Sequence, residues 1–191
     1  MSGPATVLVT GPHGVTGGAI TRRLAANVDW QVLTASRRGA PAGLDVQHLT
    51  VDLLDPGALT GQPSLARVTH LVYAAYTQRA TMAETTAPNL SMLNHTLDGL
   101  ATVGAAVEHV VLIGGGKSYG AHLGPYKTPA KESDPRFLGP IFYNDQEDLL
   151  AARRPRRVDR PAPGHRRRPA RGSRAMGADR GHRARRNVQR D

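Results

Sequence analysis

The 191-residue sequence predicts an α/β fold organised on an open, doubly wound parallel sheet. Three observations carry that expectation. Five short runs rich in β-branched residues recur before residue 114, helical periodicity or turn residues fill the intervals, and three glycines join the first run to the first helical stretch. Strands alternating with helices close into parallel sheets through right-handed crossovers.

Ala5 to Thr10 is a mostly apolar run closed by Gly11, as expected of a strand buried on both faces. From residue 15 to 28, Ala19, Ile20, Leu24, Ala25 and Val28 recur at helical spacing, with Arg22 and Arg23 on the other face, which predicts a first helix. Residues 31–35, 46–51, 69–73 and 109–113 are short, β-rich and bounded by turn residues, and supply strands two to five. Leu90, Leu93, Leu97, Leu100, Val103 and Val107 predict a long helix over about 85–107. Strand five is then left at a sheet edge. After Ile113 come three glycines and several prolines. So long a loop at the carboxyl end of a strand is a place where ligands bind. The acids and helix formers from Tyr143 onward read as a helix start.

Charge divides the chain. Residues 1–150 hold 10 Lys and Arg against 12 Asp and Glu, whereas 151–191 hold 15 Arg against 3 Asp. The basic balance therefore belongs to the tail and gives no reason to read the folded part as a nucleic-acid binder. The chain has no cysteine, which excludes disulfides, thiolate metal sites and a cysteine nucleophile. The histidines show no metal-ligand spacing, and no apolar run approaches the roughly 18 residues of a membrane span. We expect a cytoplasmic protein that engages no metal, no membrane and no specific nucleic acid, and takes a small-molecule substrate.

Gly11-Pro12-His13-Gly14-Val15-Thr16-Gly17 sets glycines at GxxGxxG spacing between a strand and a helix. Such glycines permit a tight turn and close backbone approach, and aim the helix N-terminus at a pyrophosphate, as in Rossmann-like NAD(P)-binding folds. An ordinary tight turn is the plainer reading. Strand two ends in Ser36-Arg37-Arg38, where an acid would bond the ribose of NAD and arginines would accommodate the 2′-phosphate of NADP. NADP(H) is therefore the expected cofactor, with two solvated surface arginines as the alternative. Asp52 is either an acceptor for an adenine amino group or a turn residue before Asp55-Pro56.

These motifs, with Val51-Asp52-Leu53, resemble the extended short-chain dehydrogenase/reductases. More narrowly, Gly115-Gly116-Lys117-Ser118-Tyr119-Gly120, then Glu132-Ser133-Asp134-Pro135-Arg136, then Phe142-Tyr143-Asn144-Asp145-Gln146-Glu147-Asp148 resemble the TGxKxYxG, E-x-x-PR and FYYxxED blocks of the atypical progesterone 5β-reductase and iridoid synthase branch. The likeness runs from about Thr6 to Leu150. It implies that Tyr143 and Lys117 are the catalytic pair, that Ala74 and Tyr76 wall the nicotinamide ribose, and that an enone C=C is reduced at the expense of NADPH. A nearby ammonium would favour ionisation of a phenol whose ordinary pKa is near 10. Two positions depart from the branch: Asn144 stands for a second tyrosine, and Gly114 for a hydroxyl residue. For Tyr76 a buried aromatic at the sheet edge is the competing reading.

Members of the branch continue beyond the last block with further strands and a region closing over substrate. This sequence turns instead to Arg, Pro, Gly, Ala and His, a composition that cannot bury enough apolar surface to order itself. The expected organisation is an incomplete dinucleotide-binding domain over 1–152 and a disordered basic tail over 153–191, read as out-of-frame translation of a GC-rich gene or as a genuine polyanion-binding arm. The expected activity is that of a reductase, or of one inactivated by truncation. The alternatives are a non-catalytic dinucleotide-binding or sensor protein, and epimerase or dehydratase chemistry, against which the missing YxxxK speaks.

Overall fold

A computed structural model describes residues 4–153. The expectations for the tail from residue 154 onward lie outside the described residues. The elements run β1 (Ala5–Thr10), α1 (Val15–Ala25), β2 (Trp30–Ser36), β3 (Gln47–Thr50), a 3₁₀ helix (Pro63–Arg67), β4 (His70–Tyr73), α2 (Met82–Thr102), β5 (His109–Leu112), a second 3₁₀ helix (Gly116–Tyr119) and α3 (Phe142–Arg153). The strands order as β3-β2-β1-β4-β5, every neighbouring pair parallel. The doubly wound sheet is as expected.

Alternation along each strand sends one set of side chains to each face. Val7, Val9, Val32 and Val72 meet Ile20, Leu24 and Ala25 of α1 on one side. On the other, Leu8, Leu33, Leu71 and Tyr73 pack with Met92, Leu93 and Leu100 of α2 and with Leu149 and Leu150 of α3. The central strands thus carry apolar residues toward both layers, which is why they read as continuous apolar runs.

Local chemistry sets the boundaries that periodicity misplaced. Helix α2 starts before residue 85 because Thr81 caps it, its side chain accepting from the Glu84 amide. It stops at Thr102, well short of 107, because Gly104 adopts φ +76° just beyond it. Arg153, assigned to the tail by its composition, ends α3, and its guanidinium pairs with Asp98 of α2 at 2.7 Å. Strand β5 is an edge, with Val110 and Val111 exposed. Among the described residues no helix is long and apolar enough to cross a membrane.

Candidate dinucleotide and substrate site

The three glycines of the first loop answer to different constraints. Gly11 leaves β1 at φ +68°, and a Cβ there would lie 2.5 Å from the Ala74 carbonyl oxygen. A Cβ on Gly17 would lie 2.3 Å from the Gly11 carbonyl oxygen. Both positions are glycine because β1, β4 and α1 touch there. Gly14 is different. Its backbone is ordinary extended chain, φ −76° and ψ 164°, and a Cβ would meet nothing closer than the Gly11 carbonyl at 3.5 Å. Neither conformation nor packing within the protein requires glycine at this position. It faces a cleft, as the N-cap of a helix whose first turn has no side-chain cap and no acid. Unsatisfied amides and the positive helix end make this a corner chemically suited to an anion.

The cleft has a volume of about 510 Å³ and opens over the carboxyl ends of β1, β2 and β4. Gly11, His13 and Gly14 form one wall, Ser36, Arg37 and Arg38 a second, and Asp52, Ala74 and Tyr76 contribute beyond them. Nine of the twelve expected cofactor residues are therefore brought together. Val15, Thr16 and Gly17 are outside the lining, on the first turn of α1; Val15 is 93% exposed and Gly17 is buried. Only their backbone, not their side chains, suits a pyrophosphate.

The loop after β2 is pinned by three side chains. His13 Nε2 approaches the Gly39 carbonyl at 2.9 Å, and His48 Nε2 approaches the Arg38 carbonyl at 2.7 Å. Ser36 donates to that same Arg38 carbonyl. A carbonyl can only accept, so His48 carries its proton on Nε2, and in the neutral ring Nδ1 accepts from the Thr34 hydroxyl at 2.8 Å. Arg37 and Arg38 thus stand on an anchored turn. Asp52 acts as a turn residue too: one carboxylate oxygen accepts from the Leu54 amide at 3.0 Å while the side chain borders the cleft.

At the opposite end, Tyr76 is 52% exposed, so the buried-aromatic reading of that residue does not hold. Its ring packs on Phe142 at 5.4 Å, and it borders both the cleft and a second pocket of about 100 Å³. Tyr143 is the next residue, its ring laid on Gly115, where a Cβ would sit 3.3 Å from the hydroxyl. Lys117 follows two residues later and lines the second pocket. Tyr143 and Lys117 therefore share one end of the described domain, though among the described residues no hydrogen bond joins them and Tyr143 itself lines neither pocket. The expected electrostatic coupling needs correction. Burial, and then the neighbouring Tyr76 phenol, push the Tyr143 hydroxyl above the ordinary phenol range, and the exposed Lys117 does not offset them. The phenol is protonated at neutral pH.

Polar clamps hold this end together. The Thr77 amide donates to Asn89 Oδ1 at 3.0 Å, Asn89 Nδ2 donates to the Thr77 and Thr85 carbonyls, and Gln146 Nε2 donates to the Asn89 carbonyl at 2.9 Å. Asn89 and Gln146 are buried. Arg136 of the PR block pairs with Glu147 and Asp148 of the ED block, and Asn144 donates to the Phe137 carbonyl. Sequence reasoning missed Asn89 and Gln146. The signal was present in polar Thr85, Asn89 and Thr96 falling on the buried stripe of α2.

The profile of the NAD dependent epimerase/dehydratase family matches residues 7–139, and the chain belongs to that family. It is 30% identical over 160 residues to the short chain dehydrogenase gsfE of Penicillium aethiopicum, covering 78% of this chain and 42% of that protein. It is likewise 30% identical over 157 residues to the (S)-8-oxocitronellyl enol synthase ISY2 of Nepeta racemosa, covering 75% and 40%. The 3-oxo-Delta(4,5)-steroid 5-beta-reductase of Arabidopsis thaliana is 28% identical over 162 residues, covering 76% and 41%. These relatives bear out the branch named from the motifs. The chain spans about two-fifths of their length. Among solved structures, Bordetella bronchiseptica WbmG in complex with NAD superposes with TM-score 0.63 at 17% identity, over 79% of this chain and 50% of that one. A putative NAD-dependent epimerase/dehydratase from Methylobacillus flagellatus gives 0.56 at 26%, over 79% and 51%. The fold is Rossmann-like.

Proposed function

We propose that residues 1–152 form a dinucleotide-binding domain that takes NADP(H) in the large cleft and serves a reductase of activated C=C bonds. The observation that carries the reading is Gly14, a glycine that neither its backbone nor its neighbours require. The missing side chain makes sense if a ligand approaches there. In this reading Gly11, His13 and Gly14, with the backbone of Val15, Thr16 and Gly17, receive the pyrophosphate. Ser36, Arg37 and Arg38 receive the 2′-phosphate, since no acid stands at the end of β2 to favour NAD. Asp52 accepts from the adenine amino group, and Ala74 and Tyr76 wall the ribose. Two unspent guanidinium groups, two pinning histidines and an uncapped helix start fit a phosphorylated dinucleotide.

A reduced nicotinamide supplies a hydride, which would add to the β-carbon of an enone and leave the electron pair on the carbonyl oxygen. Tyr143 meets that oxygen. Its raised pKa keeps the hydroxyl protonated, so it donates a hydrogen bond to the developing enolate, and a proton taken from water at the α-carbon completes the saturated ketone. Lys117 adds positive charge at the same end. The small pocket beside Tyr76 receives the substrate. The gsfE, enol synthase and steroid reductase relatives support this chemistry by analogy.

The test is enone-dependent oxidation of NADPH, measured for the wild type and for Tyr143→Phe. The expected loss in the variant is roughly 10²–10³-fold, the cost of one oxyanion donor, with NADPH affinity retained. Dinucleotide binding without any enone reduction would favour a sensor over a reductase.

A further inference from the structure

The second pocket differs from the large cleft in its charge. Arg79 and Lys117 both line it, and no Asp or Glu does. Several other basic side chains at this end of the domain are matched: Lys127 pairs with Asp134, Arg136 with Glu147 and Asp148, and Arg153 with Asp98. Among the described residues neither Arg79 nor Lys117 has a carboxylate partner. Arg79 is nonetheless held in place. Its Nη1 donates to the Thr77 hydroxyl at 3.0 Å and to the Gln78 carbonyl at 3.2 Å, leaving the remaining N–H groups of the fork unspent. Thr81, the N-cap of α2, also lines the pocket, adding the positive end of a 21-residue helix. Glu84, the acid in that first turn, is outside the lining.

The lining also has an apolar part, to which the buried Ile141 and Phe142 belong. At about 100 Å³ the pocket has room for roughly three water-sized groups. Tyr76 borders both this pocket and the large cleft. Resting on the reading of that cleft as the dinucleotide site, we propose that the second pocket is a carboxylate subsite, with Arg79 as its specificity-determining residue, and that the substrate is an unsaturated keto acid. The guanidinium would take the carboxylate through its free N–H groups, Lys117 and the α2 terminus would add charge, and the carbon skeleton would lie on Ile141 and Phe142.

Equilibrium binding tests this without catalysis. Calorimetry on the full chain compares (E)-4-oxo-2-pentenoate with its primary amide, a neutral probe of the same shape; with no cysteine in the chain, thiol addition cannot confuse the result. The acid should bind about tenfold tighter than the amide. That preference should shrink to less than about threefold in Arg79→Gln and persist in Arg79→Lys, because the ratio follows charge. Equal binding of acid and amide by the wild type, or an undiminished ratio in Arg79→Gln, overturns the proposal. Titration of NADPH into the same proteins reads the dinucleotide site separately: NADPH binding with no preference for the acid removes only the carboxylate subsite, and acid preference without NADPH binding removes only the reading of the cleft.

Discussion

The glycine-loop end and the phenol end of the site are built by different means. At the first, most contacts join near neighbours or the ends of adjacent parallel strands: Gly14 to Gly11, Ser36 to Arg38, and the Gly11 amide to the Ala35 carbonyl, with His13 bridging to Gly39 in the loop after β2. At the second, segments remote in sequence converge, as where Gln146 reaches Asn89, 57 residues away, and Asn89 secures the turn carrying Tyr76 and Thr77. A site made from one turn depends on steric room for backbone. One assembled from three segments depends on buried polar groups each finding a partner.

The sharpest contrast comes from a methyl group placed in each region. Gly17→Ala puts Cβ within 2.3 Å of a carbonyl oxygen that belongs to the loop itself and cannot yield as a flexible side chain would. We expect a loss of about 3 kcal/mol, of the order seen for overpacked sites, read as a lowered denaturation midpoint. At the other end, Asn89→Ala strips partners from the buried Thr77 amide and from two carbonyls. The expected cost is about 2 kcal/mol, with enone reduction falling more than NADPH affinity, because the disturbed turn carries Tyr76. Equal loss of both would erase the distinction between the two ends. Replacing Arg37 and Arg38 together by alanine should reduce the preference for NADPH over NADH about tenfold with little change in stability, since neither side chain has an ion-pair partner among the described residues; paired affinity measurements check it. The smallest effect is in pH dependence. In the proposed mechanism Tyr143 donates in its protonated form, and its pKa lies above the usual phenol value. Reduction should therefore hold level through neutral pH and fall only as pH rises past 10, whereas a phenol lowered by Lys117 would show its decline earlier.

The same comparison explains how much was legible in the sequence. Strands β1 and β4 announce themselves through apolar residues because both faces are covered, and the glycine spacing is visible because a turn is a local object. The start of α2 was also written locally, in Thr81 and Glu84, but leucine periodicity drew the helix too late. Asn89 and Gln146 carry no local motif. Their importance lies in hydrogen bonds across α2 and α3, which a sequence pattern does not encode. Arg136 belonged to a recognised block, yet its pairing with Glu147 and Asp148 emerges only when the loop folds back on α3. The phenol's proton affinity follows the same pattern, because it is set first by burial, which a sequence motif does not encode.

Gly14 decides whether the cleft holds a dinucleotide. Gly14→Val would add a side chain whose Cβ meets nothing closer than 3.5 Å, on an extended backbone that valine adopts, so the variant should stay folded and lose no more than about 1 kcal/mol from the poorer N-cap. Titrated with NADPH, it should show binding weakened beyond about a hundredfold, roughly 2.7 kcal/mol, because the valine occupies the approach to the helix start. Wild-type affinity in a folded Gly14→Val protein would contradict the account, for the cleft would then not be where the dinucleotide lies.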